Sequence, residues 1–379
     1  MAYVRRLKAR GNRPQVRWRD PLTGEELSRL FDRMSDARAF KAKIEADIQK
    51  STYVDPRSGK VPFGEWAEQC LEARLHLRAA SRARDESYMR NHVTPAFGHL
   101  PLAGLTKLRV QAWVRKLHDS GLAPATVREC HRLLQGVLSE AVDARLIPES
   151  PCRNISLPRI PHQEQCYLTP DQVERLTEVI DPAFRALVYS AVYLGCRWGE
   201  LVGLKKDNLN LLKREVRIVG SLEEVNRGPC YVEETKTSAS RRTLSIPPFL
   251  AEELGLHIQN VSQSAFVFTG GKGSLLRRSN FRKRYWKPAV NWAELDPGLR
   301  FHDLRHSCAS ILISRGAHPK EIQARLGHAS ITTTLDRYGH LFPSLGSQLD
   351  ESLEVAFREA RSSRSGVVVA QQPDATGTA

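Results

Sequence analysis

Four prolines, Pro148, Pro151, Pro158 and Pro161, fall close together between flanks that carry helical apolar stripes. Proline lacks a backbone donor and its ring collides with the preceding turn, so no helix continues through this stretch and each flank must build its own core. A second break, Val54-Asp55-Pro56-Arg57-Ser58-Gly59, has the composition of a linker. With 379 residues to distribute, the chain reads as domains over residues 1–58, 61–157 and 163–362, followed by a tail over 363–379. The tail turns to Ser, Gly, Gln and Thr, too poor in apolar side chains to bury a core. Its one exception, Val367-Val368-Val369, suits a strand added to a neighbouring protomer.

The first segment predicts a small α+β fold. Residues 3–10, 15–19 and 26–31 have strand patterning, joined by Gly11-Asn12 and by Asp20-Pro21-Leu22-Thr23-Gly24, and Ser35 starts a helix with Phe40 and Ile44 inward. Alternation puts Val16 and Trp18 on one face of the middle strand and Arg17 and Arg19 on the other. The second segment predicts an all-α fold. Phe63, Trp66, Cys70 and Leu71 form one stripe, Leu108, Val110 and Trp113 another, and Val127, Leu134, Val137, Leu138, Ala141 and Val142 a long third, with Thr106 as a cap and Gly121 as a stop.

The third segment predicts a mixed, mainly helical α/β fold. Asp181-Pro182 opens a helix buried through Phe184, Leu187, Val188, Ala191 and Val192, which stops at Gly195. Strands follow at 215–221, 231–237 and 242–246, the last two joined by Ser238-Ala239-Ser240 with Lys236 at the hairpin rim. In residues 301–340, His302 and Arg305 share a helix face, while Leu304, Cys308, Ile311 and Leu312 form an apolar one. Gly327 ends the next helix, and Ser330 caps another that carries Tyr338 near its end. A last helix turns Leu345, Leu349, Leu353 and Ala356 to one side.

Charge narrows the partner. Lys and Arg number 57 against 42 acids, a net +15 with pI ≈ 9.7, which fits a polyanion and above all nucleic acid. Residues 1–60 hold fifteen basic and eight acidic side chains, with no acid before Asp20, so the Arg17 and Arg19 face suits a sheet laid in a DNA groove. No apolar run is long enough to span a membrane and no secretory h-region follows Met1, so a cytoplasmic protein is expected. Seven cysteines without CxxC spacing predict reduced thiols, neither a disulfide framework nor a zinc knuckle. His302 and His306 have the spacing of a helical metal pair, but Asp303 stands where the zincin pattern requires Glu, and no metal is expected.

Arg197, just past a helix-ending glycine, and Arg305 bring two guanidinium forks from distant segments, and such forks match phosphate oxygens at any relevant pH. Tyr338 nearby is a candidate nucleophile. Its ordinary pKa of about 10 calls for a base, and His302 is the candidate. His328 suits donation to a phosphate oxygen, and Lys236 suits protonation of a departing 5′ oxygen.

In chain order, GCRWGE, TKTSASRRTL, HDLRH, LGH and the tyrosine after them resemble the motifs of tyrosine recombinases of the phage integrase family, over roughly residues 165–345. That resemblance implies Arg197, Lys236, His302, Arg305 and His328 around the phosphate, Tyr338 as nucleophile and Glu200 as structural support. It also implies a helical core-binding domain and a mixed α/β catalytic domain that together clamp DNA. Residues 1–50 resemble the amino-terminal arm-binding domain of the lambda-type integrases. The expected activity is site-specific recombination of double-stranded DNA through a 3′-phosphotyrosine, with no cofactor. The expected partners are core and arm-type DNA sites, three further copies in a synaptic homo-tetramer, a host DNA-bending protein and a directionality factor. The alternatives are a type IB topoisomerase and a non-catalytic architectural DNA-binding protein.

Overall fold

The computed structural model describes residues 2–7, 12–21, 23–50, 53–74, 77–161, 165–225, 228–232, 241–260, 264–342 and 346–365. Of Leu7, of Val225, of Lys272, of 346–349 and of 362–365 it describes the backbone alone. The chain divides into two compact units, Met1–Gln163 and Glu164–Ala379.

The first unit holds two apolar cores. One belongs to an antiparallel sheet of β1 (Tyr3–Leu7), β2 (Arg13–Arg19) and β3 (Glu26–Leu30), covered by α1 (Met34–Gln49). Val16 and Trp18 face inward with Ala37 and Ile44, as alternation predicts. Trp18 donates its indole N–H to the Tyr53 hydroxyl at 2.8 Å. On the other face Arg17 pairs with Glu26 at 2.8 Å, while Arg19 is exposed.

The second core belongs to α2 (Phe63–Ala73), α3 (Ala79–Tyr88), α4 (Thr94–Phe97), α5 (Lys107–Asp119) and α6 (Pro124–Asp143), with a π turn at Met89–Val93 between α3 and α4. On α5 the buried stripe is Val110, Trp113, Val114 and Leu117. Leu108, expected on that stripe, is 81% exposed because two residues before Val110 lies on the far side of a helix. Both expected linkers are docked. A Cβ at Gly59 would sit 2.8 Å from that of Ala103, a gap that only glycine leaves. Past α6, Gln111 exchanges two hydrogen bonds with Ser156 at 2.9 and 3.0 Å, and Arg128 donates to the Pro158 carbonyl at 2.8 Å.

In the second unit α7 (Pro170–Val179) begins in a Thr169 and Gln172 capping box. Asp181 caps a single 3₁₀ turn, and α8 (Arg185–Leu194) runs buried through the core to Gly195 in the left-handed conformation. Then come α9 (Trp198–Val202), β4 (Leu209–Asn210), β5 (Glu215–Ile218), β6 (Ser221–Val225), β7 (Gly228–Val232) and β8 (Arg242–Ser245). The strand expected over 215–221 is broken at Gly220, where a Cβ would meet the Val232 carbonyl oxygen at 2.7 Å. Among the described residues β7 joins β6 in a two-stranded ribbon and β8 joins β5 and β4 in a second sheet, while 233–240 of the expected hairpin lie outside them.

The helices α10 (Pro248–Asn260), α11 (Arg278–Phe281) and α12 (Lys287–Trp292) follow, the last two joined through a π turn at Arg282–Trp286. They lead to α13 (Asp303–Ser314), α14 (Pro319–Leu326), α15 (Ile331–Tyr338) and α16 (Gly346–Ser365). Of the side of α16 expected to carry Leu345, Leu349, Leu353 and Ala356, the described side chains Leu353 (69%) and Ala356 are exposed. The strand expected over Val367 to Val369 lies outside the described residues.

Candidate functional site

Gly195 ends α8 at φ 68°, and the space where its Cβ would stand is taken by Leu326 Cδ2 of α14 at 2.7 Å and Cys308 Sγ of α13 at 3.0 Å. Three helices therefore meet at a residue that only glycine satisfies. The Gly195 carbonyl accepts from Arg305 Nη1 at 2.7 Å, which fixes that guanidinium against the end of α8.

Arg197 is held by its neighbours on both sides. Its Nη1 donates to Glu200 Oε1 at 2.7 Å and its Nη2 to the Gly327 carbonyl at 3.2 Å, while Glu200 Oε2 accepts from its backbone N–H at 2.9 Å. Glu200 also takes Arg242 Nη2 at 2.9 Å, and Arg242 Nε donates to the Arg325 carbonyl at 2.8 Å. Burial pushes the Glu200 carboxyl up, but Arg242 and Arg197 outweigh it and hold it below the usual carboxylate range. The helix carrying these groups lies directly on β6, since a Cβ at Gly203 would meet Leu222 N at 2.7 Å and one at Gly199 the Leu222 carbonyl at 2.8 Å.

His302 opens α13, anchored by Phe301, whose ring meets Trp198 at 5.0 Å and Trp286 at 5.3 Å between centroids. The buried Asp303 carboxylate beside it is engaged by Arg300 at 2.7 Å rather than turned toward the histidine pair. His328 follows Gly327, which is left-handed at φ 67°, and its Nδ1 lies 2.9 Å from Thr334 Oγ1. The Tyr338 ring stacks on His328 at 6.5 Å between centroids and 11° between planes.

Tyr338 itself is fully buried. Its hydroxyl is 2.7 Å from Nδ1 of His306, not bonded to His302, the base expected from the sequence. Burial pushes the phenol up to about 12 against the opposing pull of Arg305 and Arg337. Burial also lowers His302 and His306 to about 4 and His328 to about 3, with further lowering from His306 and Arg305 at His302 and from Arg305 and Arg197 at His328. All three imidazoles are therefore neutral at pH 7. Arg305 is brought down to about 10 by burial first and Arg197 second, and it stays cationic.

Arg197, Glu200, His302, Arg305, His328 and Tyr338 thus converge, though they come from four separate helices and loops. Lys236 lies outside the described residues. Arg17 and Arg19 belong to the sheet of the other unit. Two members were missed. Arg242 carries a weak signal, an arginine at an inward position of a strand, and His306 a stronger one, a second histidine one turn past His302. Two guanidinium groups, neutral imidazoles and a phenol brought close together suit transfer of a phosphoryl group to a tyrosine oxygen.

A three-stranded sheet with a helix, a helical bundle, and a mixed unit presenting arginines, histidines and a tyrosine make up the architecture of a tyrosine recombinase. Residues 166–344 match the model of the phage integrase family, and residues 63–118 match that of the phage integrase N-terminal SAM-like domain. The chain is 28% identical over 345 residues to the putative prophage phiRv2 integrase of Mycobacterium tuberculosis, covering 86% of this chain and 88% of that protein. Its fold resembles the Tn1549 transposon integrase in complex with transposon right end DNA, with TM-score 0.68 and 19% identity over 78% of this chain and 100% of that one. It also resembles a lambda integrase tetramer bound to a Holliday junction, with TM-score 0.55 and 18% identity over 89% of this chain and 94% of that one. The chain belongs to the phage integrase family, and it is a tyrosine recombinase enzyme.

Proposed function

We propose that this chain is a site-specific DNA recombinase, an integrase of a phage or mobile element, that cuts and rejoins DNA through Tyr338. The observation that carries the reading is the buried Tyr338 phenol among neutral histidines, beside two guanidinium groups from different segments. The tyrosine oxygen attacks the scissile phosphorus and the bond to the 5′ oxygen breaks. The 5′ oxygen leaves with a proton, a role assigned to Lys236, and a 3′-phosphotyrosine holds the bond energy. Attack by a partner strand's 5′ hydroxyl reverses the step, so no cofactor is invoked. Arg197 and Arg305 would balance the charge of the pentacovalent state, with His302 and His328 facing the same phosphate. Glu200 holds Arg197 in place.

In this reading residues 1–58 bind an arm-type DNA site through Arg17 and Arg19, 61–157 bind the core site, 163–362 carry the chemistry, and 363–379 form a tail. Four copies assemble on paired duplexes, as the lambda enzyme does on a Holliday junction. A host DNA-bending protein and a directionality factor assist in the bacterial cytoplasm. No described helix is long and apolar enough to cross a membrane.

The test is covalent trapping. Tyr338→Phe removes only the nucleophilic oxygen, so it should bind DNA and form no adduct on a denaturing gel, and an adduct of unchanged yield would refute the assignment. Strand exchange between two duplexes, measured beside relaxation of supercoiled DNA, separates recombination from topoisomerase activity.

A further inference from the structure

We propose that His306, through its Nδ1, is the group that takes the proton from the Tyr338 hydroxyl as that oxygen attacks phosphorus. The inference rests on the reading above and extends it to a residue outside the expected set.

The geometry is direct. His306 Nδ1 stands 2.7 Å from the Tyr338 oxygen, and both side chains are buried, at 4% and 0% exposure. The direction of the bond follows from satisfaction. The phenol has no other hydrogen-bond partner among the described residues, so if Nδ1 carried the hydrogen the phenolic O–H would be a buried donor with nothing to receive it. The phenol therefore donates, Nδ1 accepts, and the ring hydrogen sits on Nε2. A neutral imidazole is required for that, and burial keeps His306 neutral down to about pH 4.

Need and position agree. With the phenol pushed up to about 12, only about one molecule in 10⁵ would be ionised at pH 7 without a base in contact. His302 occupies the first position of the motif, yet its ring lies 5.0 Å from that of His306 and perpendicular to it, one turn away from the phenol bond. His306 reaches the phenol because α14 packs on both α13 and α15 and brings Tyr338, the last residue of α15, into the buried cluster with Ala309 and Ile313 of α13.

The step balances as follows. The Tyr338 O–H bond breaks and its proton passes to Nδ1 while the new O–P bond forms. The bond from phosphorus to the 5′ oxygen breaks, and its electron pair leaves on that oxygen, which is protonated by the acid. On rejoining, the His306 imidazolium returns the proton to the tyrosine oxygen as the phosphotyrosine bond breaks.

The full chain is compared with His306→Ala and His306→Asn on a nicked duplex built from the sequence recovered in the wild-type adduct. The duplex carries either oxygen or sulfur as the bridging 5′ atom. Asn keeps an acceptor near the Nδ1 position, and so the buried bond, but takes no proton. Both variants should bind the duplex with wild-type affinity and form adduct about 100-fold more slowly, the size expected for a lost base. The loss should be equal on oxygen and sulfur, because sulfur relieves only the leaving step, and it should narrow from pH 7 to 9 as solution base replaces the imidazole. Wild-type rates for His306→Asn would overturn the proposal, as would a loss restored by sulfur or a loss independent of pH. If His306→Ala does not fold, His306→Asn carries the test alone. Absence of any wild-type adduct, or an adduct from Tyr338→Phe, would instead remove the proposed function on which the inference stands.

Discussion

Glu200 shows how one carboxylate organises the arginines of the proposed phosphate site. It holds Arg197, whose side chain is 39% exposed, and Arg242, which is 7% exposed, so one partner reaches solvent and the other is walled in. Glu200→Gln would leave Arg242 buried without its counter-charge, and breaking a buried pair costs roughly 3–5 kcal/mol. Denaturant unfolding should show a loss of that order, with adduct formation falling alongside it. The histidines make a second prediction at this scale. His302, His306 and His328 have folded pKa values of about 4, 4 and 3, below the ordinary value near 6.5, so the unfolded chain binds more protons in between. Their stabilising contribution is complete above about pH 6.5 and is lost as pH falls toward 4. The melting temperature should decline across that window, and the decline should flatten in His328→Gln.

At the scale of elements, glycines decide where the arginines stand. The contact of α9 with β6 leaves no room for a side chain at Gly203, and the facing atom is backbone that cannot turn aside. Gly203→Ala should push α9 off the ribbon and carry Arg197 out of register with Arg305. A displacement of about 1 Å can cost on the order of 100-fold in rate. Adduct formation should therefore drop by about that factor while duplex binding persists; an unchanged rate would mean that Arg197 tolerates displacement. Helix ends were the legible part of this layer. Thr106, Thr169, Ser330 and Gly327 cap or stop helices through bonds to residues two to four positions away, and Gly195 stops α8 by its left-handed conformation, features that depend on local sequence alone. The pairing of β8 with β5 was not legible, because alternation specifies a strand's faces and not its neighbour.

At the scale of the molecule, α16 presents Leu353 and Phe357, one turn apart on one face, to solvent. In the proposed tetramer this face is available to another copy. Leu353→Ser with Phe357→Ser should reduce the yield of synaptic complex in native gels and spare single-site adduct formation, whereas unchanged assembly would exclude the face from that contact. A chain beginning at Lys60 retains the hydrogen bond from Leu102 to the Val61 carbonyl, so the helical core stays closed. It should cleave isolated core sites and fail in complete integration. Integration at the wild-type rate would show that residues 1–58 do not bridge a second DNA site.

By itself the sequence determined which side chains are present for the chemistry, that they sit at helix ends, and that proline-rich breaks separate the cores. Those properties follow from spacing along the chain, since helical period, caps and left-handed glycines act over one or two turns. Only the tertiary structure decided which of two adjacent histidines meets the phenol, that Arg242 shares Glu200 with Arg197, and that the phenol is sealed from water. Each of those facts is a contact between segments distant in sequence: His306 and Tyr338 are 32 positions apart, Glu200 and Arg242 42, and Gly195 and Arg305 110. Local periodicity places both histidines of the HDLRH motif on one helix, while the docking of Tyr338 into the cluster of α13 and α14 selects the one that touches the proposed nucleophile.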